Sequence, residues 1–117
     1  KAKYLYISVP LLSFSTFLEH SNQKIFPRQL SGGHTHLYSK NSLYYLFKVK
    51  KLKIIGEWWF GADMADLYRT MINNFDKKNI DLFYNKFNNY FLGQMNEIQK
   101  ILDKNNMCSE VHMIISK

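Results

Sequence analysis

The chain has 117 residues, of which 46% are hydrophobic, 16% aromatic and 21% charged. That proportion can bury a core and excludes a disordered polymer, while no apolar run approaches the ~20 residues of a membrane-spanning helix. Sixteen basic and nine acidic residues give a formal charge of +7. The lone Cys108 excludes an internal disulfide framework and a multi-cysteine zinc site, and fits a reduced, cytoplasmic setting.

Tyr4-Leu5-Tyr6-Ile7-Ser8-Val9 is β-rich and stops at Pro10, which cannot donate to a ladder. Both of its faces are fairly apolar, as in a strand covered on both sides. Lys1 is not methionine and no signal-peptide pattern precedes the strand, so the chain reads as a segment of something longer. Leu11 to Gly33 is long for a connection; it holds a short helix near 15–20, then Pro27 and Gly32-Gly33, and segments of this length are often lids or binding loops. Ser39 is a good N-cap for a helix whose face is Leu43, Leu46 and Phe47. A second strand spans Leu52 to Trp59, with Leu52, Ile54 and Trp58 on one face and Lys53, Ile55, Glu57 and Trp59 on the other.

Gly61 ends that strand and Asp63 can cap a helix with the stripe Met64, Leu67, Tyr68, Met71, Ile72 and Phe75. Asn79 can cap a longer helix, rich in aromatics from Phe83 to Phe91 and reaching Leu102. Gly93 marks a kink or a close packing contact in it. Asn105-Asn106 ends the helix, and Glu110 to Ser116 is a third strand. Strand, loop, helix, strand, helix, helix, strand is α/β in character.

The basic balance alone suggests a polyanionic partner. Lys48, Lys50, Lys51 and Lys53 cluster at one helix–strand junction and Lys77-Lys78 sit in a turn, but the rest are scattered and fourteen of the sixteen are lysine. Solvated faces in a lysine-biased composition explain this better than a nucleic-acid contact. No phosphate-binding glycine loop, nucleophile elbow or paired-cysteine motif is present.

Two stretches are rich in chemistry. In Gly32-Gly33-His34-Thr35-His36, an extended backbone points His34 and His36 the same way; they could chelate a metal, but no third ligand is evident, and a base, an orienting donor or a structural histidine are the other roles. In Gly56-Glu57-Trp58-Trp59-Phe60-Gly61-Ala62-Asp63, two indoles, a carboxylate and a helix start form either an acceptor pocket at a strand end or plain core packing.

Together these stretches resemble the C-terminal half of class I S-adenosylmethionine-dependent methyltransferases of the small-molecule or sugar type. Tyr4 to Pro10 is similar to that family's fifth strand. His36-Leu37-Tyr38-Ser39-Lys40-Asn41-Ser42-Leu43-Tyr44-Tyr45-Leu46 resembles the entry to its fifth major helix, Leu52 to Glu57 its sixth strand, and Glu110 to Ile115 its seventh. Gln99 to Lys104 is also similar to sugar-type members.

The resemblance implies a Rossmann-like sheet end of order 5-7-6 whose last strand runs antiparallel. It implies that residues 1–117 form the C-terminal segment of a methyltransferase domain. The cofactor-binding half, with its glycine loop and acidic ribose ligand, would be absent from this segment, and the segment alone would be inactive. The cofactor of the parent would be S-adenosylmethionine. This segment would supply the acceptor side, for a sugar or another small molecule: His34 or His36 as base or orienting donor, and Glu57, Trp58 and Trp59 shaping the pocket. No cofactor-binding or metal-binding residue is assigned within it, and no membrane partner is expected. A homodimer could form through the first strand's edge or the aromatic helix. The alternatives are a basic α/β nucleic-acid-binding module, or a protein-interaction domain whose Phe83–Phe91 stripe is exposed in the monomer.

Overall fold

The computed structural model describes residues 2–22, 24, 26–31, 33–75 and 80–117, with the side chains at 80 and 83 left out. The expected cap Asn79, the Lys77-Lys78 turn and Gly32 lie outside the described residues. The chain runs β1 (Tyr4–Pro10), α1 (Phe14–Ser21), α2 (Lys40–Val49), β2 (Lys53–Phe60), α3 (Asp63–Asn74), α4 (Ile80–Lys104) and β3 (Glu110–Ser116). It is a mixed α/β domain built on one three-stranded sheet of order β1-β3-β2.

β3 is antiparallel to both neighbours, so β1 and β2 run parallel to each other. Val111, Met113 and Ile115 are buried on one face of β3, while His112, Ile114 and Ser116 alternate toward the other. The buried face receives Ile7, Val9, Ile54 and Trp59 from the flanking strands and Leu43 and Phe47 from α2. Burying each of those α2 side chains is worth about 1.5–3 kcal/mol, which is why the stripe at 43 and 47 sets the roll of the helix. Leu46, expected on the same stripe, is 39% exposed.

The ends of α2 follow local chemistry. Ser39 Oγ accepts from the Ser42 amide at 3.1 Å, and Ser42 Oγ accepts from the Ser39 amide at 2.9 Å. At the far end Lys51 is left-handed at φ 53°, and the Leu52 amide donates back to Phe47 O at 2.9 Å. Asn106 does the same for α4, at φ 56° with the Met107 amide on Leu102 O. Both are helix ends closed by a residue in the αL region.

Two expectations are corrected here. Simple alternation put Ile54 with Trp58. The register instead pairs Ile54 with Ile115 and Gly56 with Ile114, an irregularity that inserts one extra residue. A bulge of this kind reverses which residues face the core, so Ile54 shares the inner face with Trp59, and Trp58 is turned outward. The second concerns Asp63. The N-cap of α3 is Ala62, with no side-chain cap bond; Asp63 is the first helical residue, and its carboxylate is used for tertiary contacts.

α4 packs along α3 through stacked rings: Tyr68 with Phe87 at 5.7 Å and with Phe91 at 6.4 Å between centroids. This stripe is therefore partly covered by α3 rather than free, at its described positions. An added Cβ at Gly93 would meet nothing within 4 Å, so no close packing contact explains that glycine. The molecule measures 59 × 27 × 22 Å, long for its size because 25 helical residues in α4 extend ~37 Å. No described helix is long and apolar enough to cross a membrane.

Candidate functional site

The C-terminal end of β1 leads into the feature that organises this part of the molecule. After Pro10 the chain forms a parallel bridge between Leu11 and Tyr38. The Leu12 amide donates to Tyr38 O at 2.9 Å and the Tyr38 amide to Pro10 O at 3.2 Å. Ser13 and Ser39, the N-caps of α1 and α2, follow directly on these two bridged segments. The helix starts therefore open side by side. Between them and the α4–β3 turn lies a cavity of about 340 Å³.

Apolar atoms of Leu11, Phe14, Phe17 and Met107 form much of the cavity wall, and Lys40 is the one charged residue lining it among the described residues. The Lys40 ammonium sits 5.7 Å over the Trp59 ring and 5.5 Å over the Tyr44 ring, a cation–π arrangement that directs the head toward these two rings. Ser13 is only 5% exposed, and it shares a capping box with Thr16 at the start of α1. Cys108 also lines the cavity. Its thiol donates to Glu110 O at 3.5 Å, and burial pushes its pKa up to about 11, so it stays a neutral thiol at physiological pH.

The cavity is braced by carboxylates that residue type alone would place in solvent. Asp63, fully buried, accepts from the Ser15 amide at 3.0 Å and the Ser109 amide at 2.9 Å. Glu19 accepts from the Gln29 amide at 2.9 Å and from Arg69 at 3.4 Å. Asp66 pairs with Arg28 at 2.8 Å and Arg69 at 3.2 Å. These bonds tie α1 and the loop after it to α3 and to the start of β3.

The five residues singled out in the sequence do not gather in one place. His34 is exposed, with Nδ1 3.2 Å from Gln29 O. His36 is exposed, with Nδ1 2.8 Å from Thr35 Oγ1 and its ring 6.4 Å from that of Tyr38. Neither lines the cavity above. Glu57 accepts two contacts from the Tyr44 hydroxyl, at 2.8 and 3.0 Å. Trp59 is buried in the core beneath Lys40, whereas Trp58 is 65% exposed on the opposite sheet face. The two indoles therefore do not share a pocket.

Trp58 belongs to a second cluster that no local pattern announced. Tyr6 OH lies 2.7 Å from His112 Nδ1, and the edges of Trp58 and Phe60 meet the same imidazole at 5.8 and 4.6 Å between centroids. The pairings Ser8↔His112 and Trp58↔His112 across three strands bring these rings together.

S-adenosylmethionine needs a glycine turn and an acidic residue for its ribose hydroxyls. The carboxylates of Glu19, Asp63 and Asp66 are already taken by backbone amides and arginines, and Glu57 by Tyr44. No glycine-rich turn of the G-x-G kind occurs in the sequence. Nor does any described group of three or more His, Cys, Asp or Glu side chains have the arrangement of a metal site. No protein-family model, curated protein or solved structure matches the chain.

Proposed function

We propose that the chain is the acceptor-side, C-terminal part of a class I S-adenosylmethionine-dependent methyltransferase acting on a small molecule or sugar. The observation that carries this reading is the strand order: the last strand lies antiparallel between two parallel strands, β1-β3-β2, the arrangement expected of the 5-7-6 end of that sheet. Two further features agree with it. Tyr4, Leu5 and Tyr6 on β1 are each more than half exposed, as a strand with a further neighbour would be when seen without it. The cavity at the C-terminal end of β1 lies where open α/β sheets hold ligands.

On this reading the cofactor is held by residues outside this chain. The cavity between the starts of α1 and α2 receives the acceptor, with Tyr38 and Lys40 on its wall and His36 on the segment leading into it. Catalysis by positioning is the part these residues would supply. The test is to translate the source gene upstream of the Lys1 codon and titrate S-adenosylmethionine into the full-length product by calorimetry. A strand, a G-x-G turn and an acidic residue after the next strand, with cofactor binding, support the reading. A start codon directly before Lys1 overturns it.

A second reading rests on a separate observation. The register Tyr4↔Ser116 and Lys53↔Ser116 brings Lys3 and Lys117 to the same sheet end as Lys48, Lys50, Lys51 and Lys53, all six exposed. That basic end favours a nucleic-acid contact. Its signature is an affinity for RNA or DNA that falls steeply with salt and is lost on replacing Lys50, Lys51 and Lys53 together.

A further inference from the structure

We infer that the open face of the sheet binds unpaired nucleobases, with Trp58 and Tyr6 as stacking surfaces and the lysines at the sheet's end holding the phosphates of the same strand. The inference rests on the second reading above, the basic end as a nucleic-acid contact. It adds where the bases go, and that the strand is single.

Three observations converge. First, this face is aromatic and open. The register puts Tyr4 and Tyr6 of β1, His112 and Ile114 of β3, and Trp58 of β2 on the side away from α2. Tyr4, Tyr6, Trp58 and Ile114 are all exposed. Single exposed apolar side chains are ordinary, but a patch running across three strands marks a contact surface.

Second, the face has a shaped hollow. Gly56 pairs with Ile114 and carries no side chain, and a hollow of about 380 Å³ opens among Tyr6, Gly56, Trp58, His112 and Ile114. A Cβ at Gly56 would meet nothing within 4 Å. The rings of Tyr6 and Trp58 stand at 74° and 87° to that of His112, and Tyr6 OH lies 2.7 Å from its Nδ1. Both rings are therefore braced without a ligand. Glu57 is the one acid lining the hollow among the described residues, and its carboxylate is engaged by Tyr44 at 2.8 Å.

Third, the charge beside the aromatic row suits phosphate. Lys53 pairs with Ser116 on this same face, and the Lys3 ammonium lies 5.4 Å over the Tyr4 ring. From the Lys53↔Ser116 row to the Trp58↔His112 row is about 13 Å of strand. Glu110 stands at the opposite end, paired with Phe60. Aromatic planes for bases next to cations for the backbone are the parts of a single-strand site. Only unpaired bases offer a free face to such rings.

The test is an anisotropy titration of the 117-residue chain into a labelled oligothymidylate of about 12 nucleotides, within the usual site size. An abasic strand of equal length and a duplex form the other arms, and indole emission is followed in parallel. The oligothymidylate should bind at least ten-fold more tightly than either, and should quench the exposed Trp58 rather than the buried Trp59. Trp58→Ala should weaken binding about 5- to 100-fold, the range for one stacked base, with the salt slope unchanged. Trp58→Phe should restore most of it. Gly56→Val fills the hollow and should weaken binding without loss of thermal stability, because the space is open and valine suits a strand. Replacing Lys50, Lys51 and Lys53 together should instead flatten the salt slope by about 2.

Equal affinity for the abasic strand, or indifference to Trp58→Ala and Gly56→Val, overturns the inference and leaves the basic-end contact standing if the lysine variant still loses binding. Binding that needs Trp58 but not the lysines keeps the stacking face and overturns the basic-end contact. No binding in any arm overturns both. Tighter binding to anionic lipid vesicles than to the oligothymidylate, or a dimer that dissociates in Trp58→Ala, assigns the face to a membrane or a second copy and overturns the inference.

Discussion

Asp63 Oδ2 accepts a hydrogen bond from the Ser109 amide at 2.9 Å, across 46 positions of sequence. Its other oxygen accepts from the Ser15 amide at 3.0 Å. One buried carboxylate thus fastens the starts of α1, α3 and β3 to one another. Asp63→Ala should strand two amides at buried positions, at about 1–3 kcal/mol each. A loss of about 2–4 kcal/mol in urea unfolding is expected. Asp63→Asn keeps one carbonyl oxygen and should lose about half as much. An alanine variant within 0.5 kcal/mol of the parent would show that the bonds are not made in solution.

Two glycines make opposite predictions from one chemical change. A Cβ at Gly61 would collide with the Asp63 carboxylate and stand 2.6 Å from the Ser109 amide nitrogen. Gly61→Ala should therefore destabilise by about 1–3 kcal/mol, as overpacking does. Gly93, inside α4, has open space around its missing side chain. Gly93→Ala should stabilise by about 0.5–1 kcal/mol through helix propensity. Parallel thermal melts of the two variants check both signs.

What was legible in the sequence is what local periodicity controls. β1, β2, β3, the Ser39 cap and the long helix follow from side-chain period and cap chemistry. The bulge near Ile55 was not legible, because one extra residue in a strand changes no composition. It alone decides that Ile54 joins Trp59 and that Trp58 faces away. The buried roles of Glu19 and Asp66 were hidden for another reason. An acid on a helix reads as solvated until Arg28 and Arg69 arrive from distant positions. The cavity was hidden likewise, since the pairing Leu11↔Tyr38 joins the two ends of a 26-residue excursion. Residue chemistry pointed to His34 and His36; long-range pairing built a cavity from Ser13, Lys40 and Cys108 instead.

Cys108 offers a pH test. Its thiol pKa is raised from 9.0 to about 11, chiefly by burial, with the hydrogen bond to Glu110 O opposing and the charges of Asp103 and Asp63 adding. The folded state therefore holds its proton more tightly than the unfolded state does. This contribution to stability is fully present below about pH 9 and declines toward about pH 11. Alkylation by iodoacetamide should be slow at pH 8 and remain slow at pH 9.5, where an unfolded control reacts fast. Equal rates for folded and unfolded chains at pH 9.5 would place the thiol in solvent.

The Tyr44–Glu57 contact makes a second titration prediction, with a variant that separates its causes. Burial raises the Tyr44 phenol first, and the hydrogen bond and negative charge of Glu57 raise it further, to about 12 from 10.0. Because the folded pKa lies above the unfolded one, the associated stability is complete below pH 10 and fades as pH rises through about 12. Glu57→Gln removes the charge but not the burial. The Tyr44 titration, followed by the ζ-carbon shift in NMR, should then move down and stop short of its ordinary value. A return all the way to 10.0 would mean that Glu57 is the whole cause. No movement would mean that the 2.8 Å contact between the phenol and the carboxylate is not held in solution.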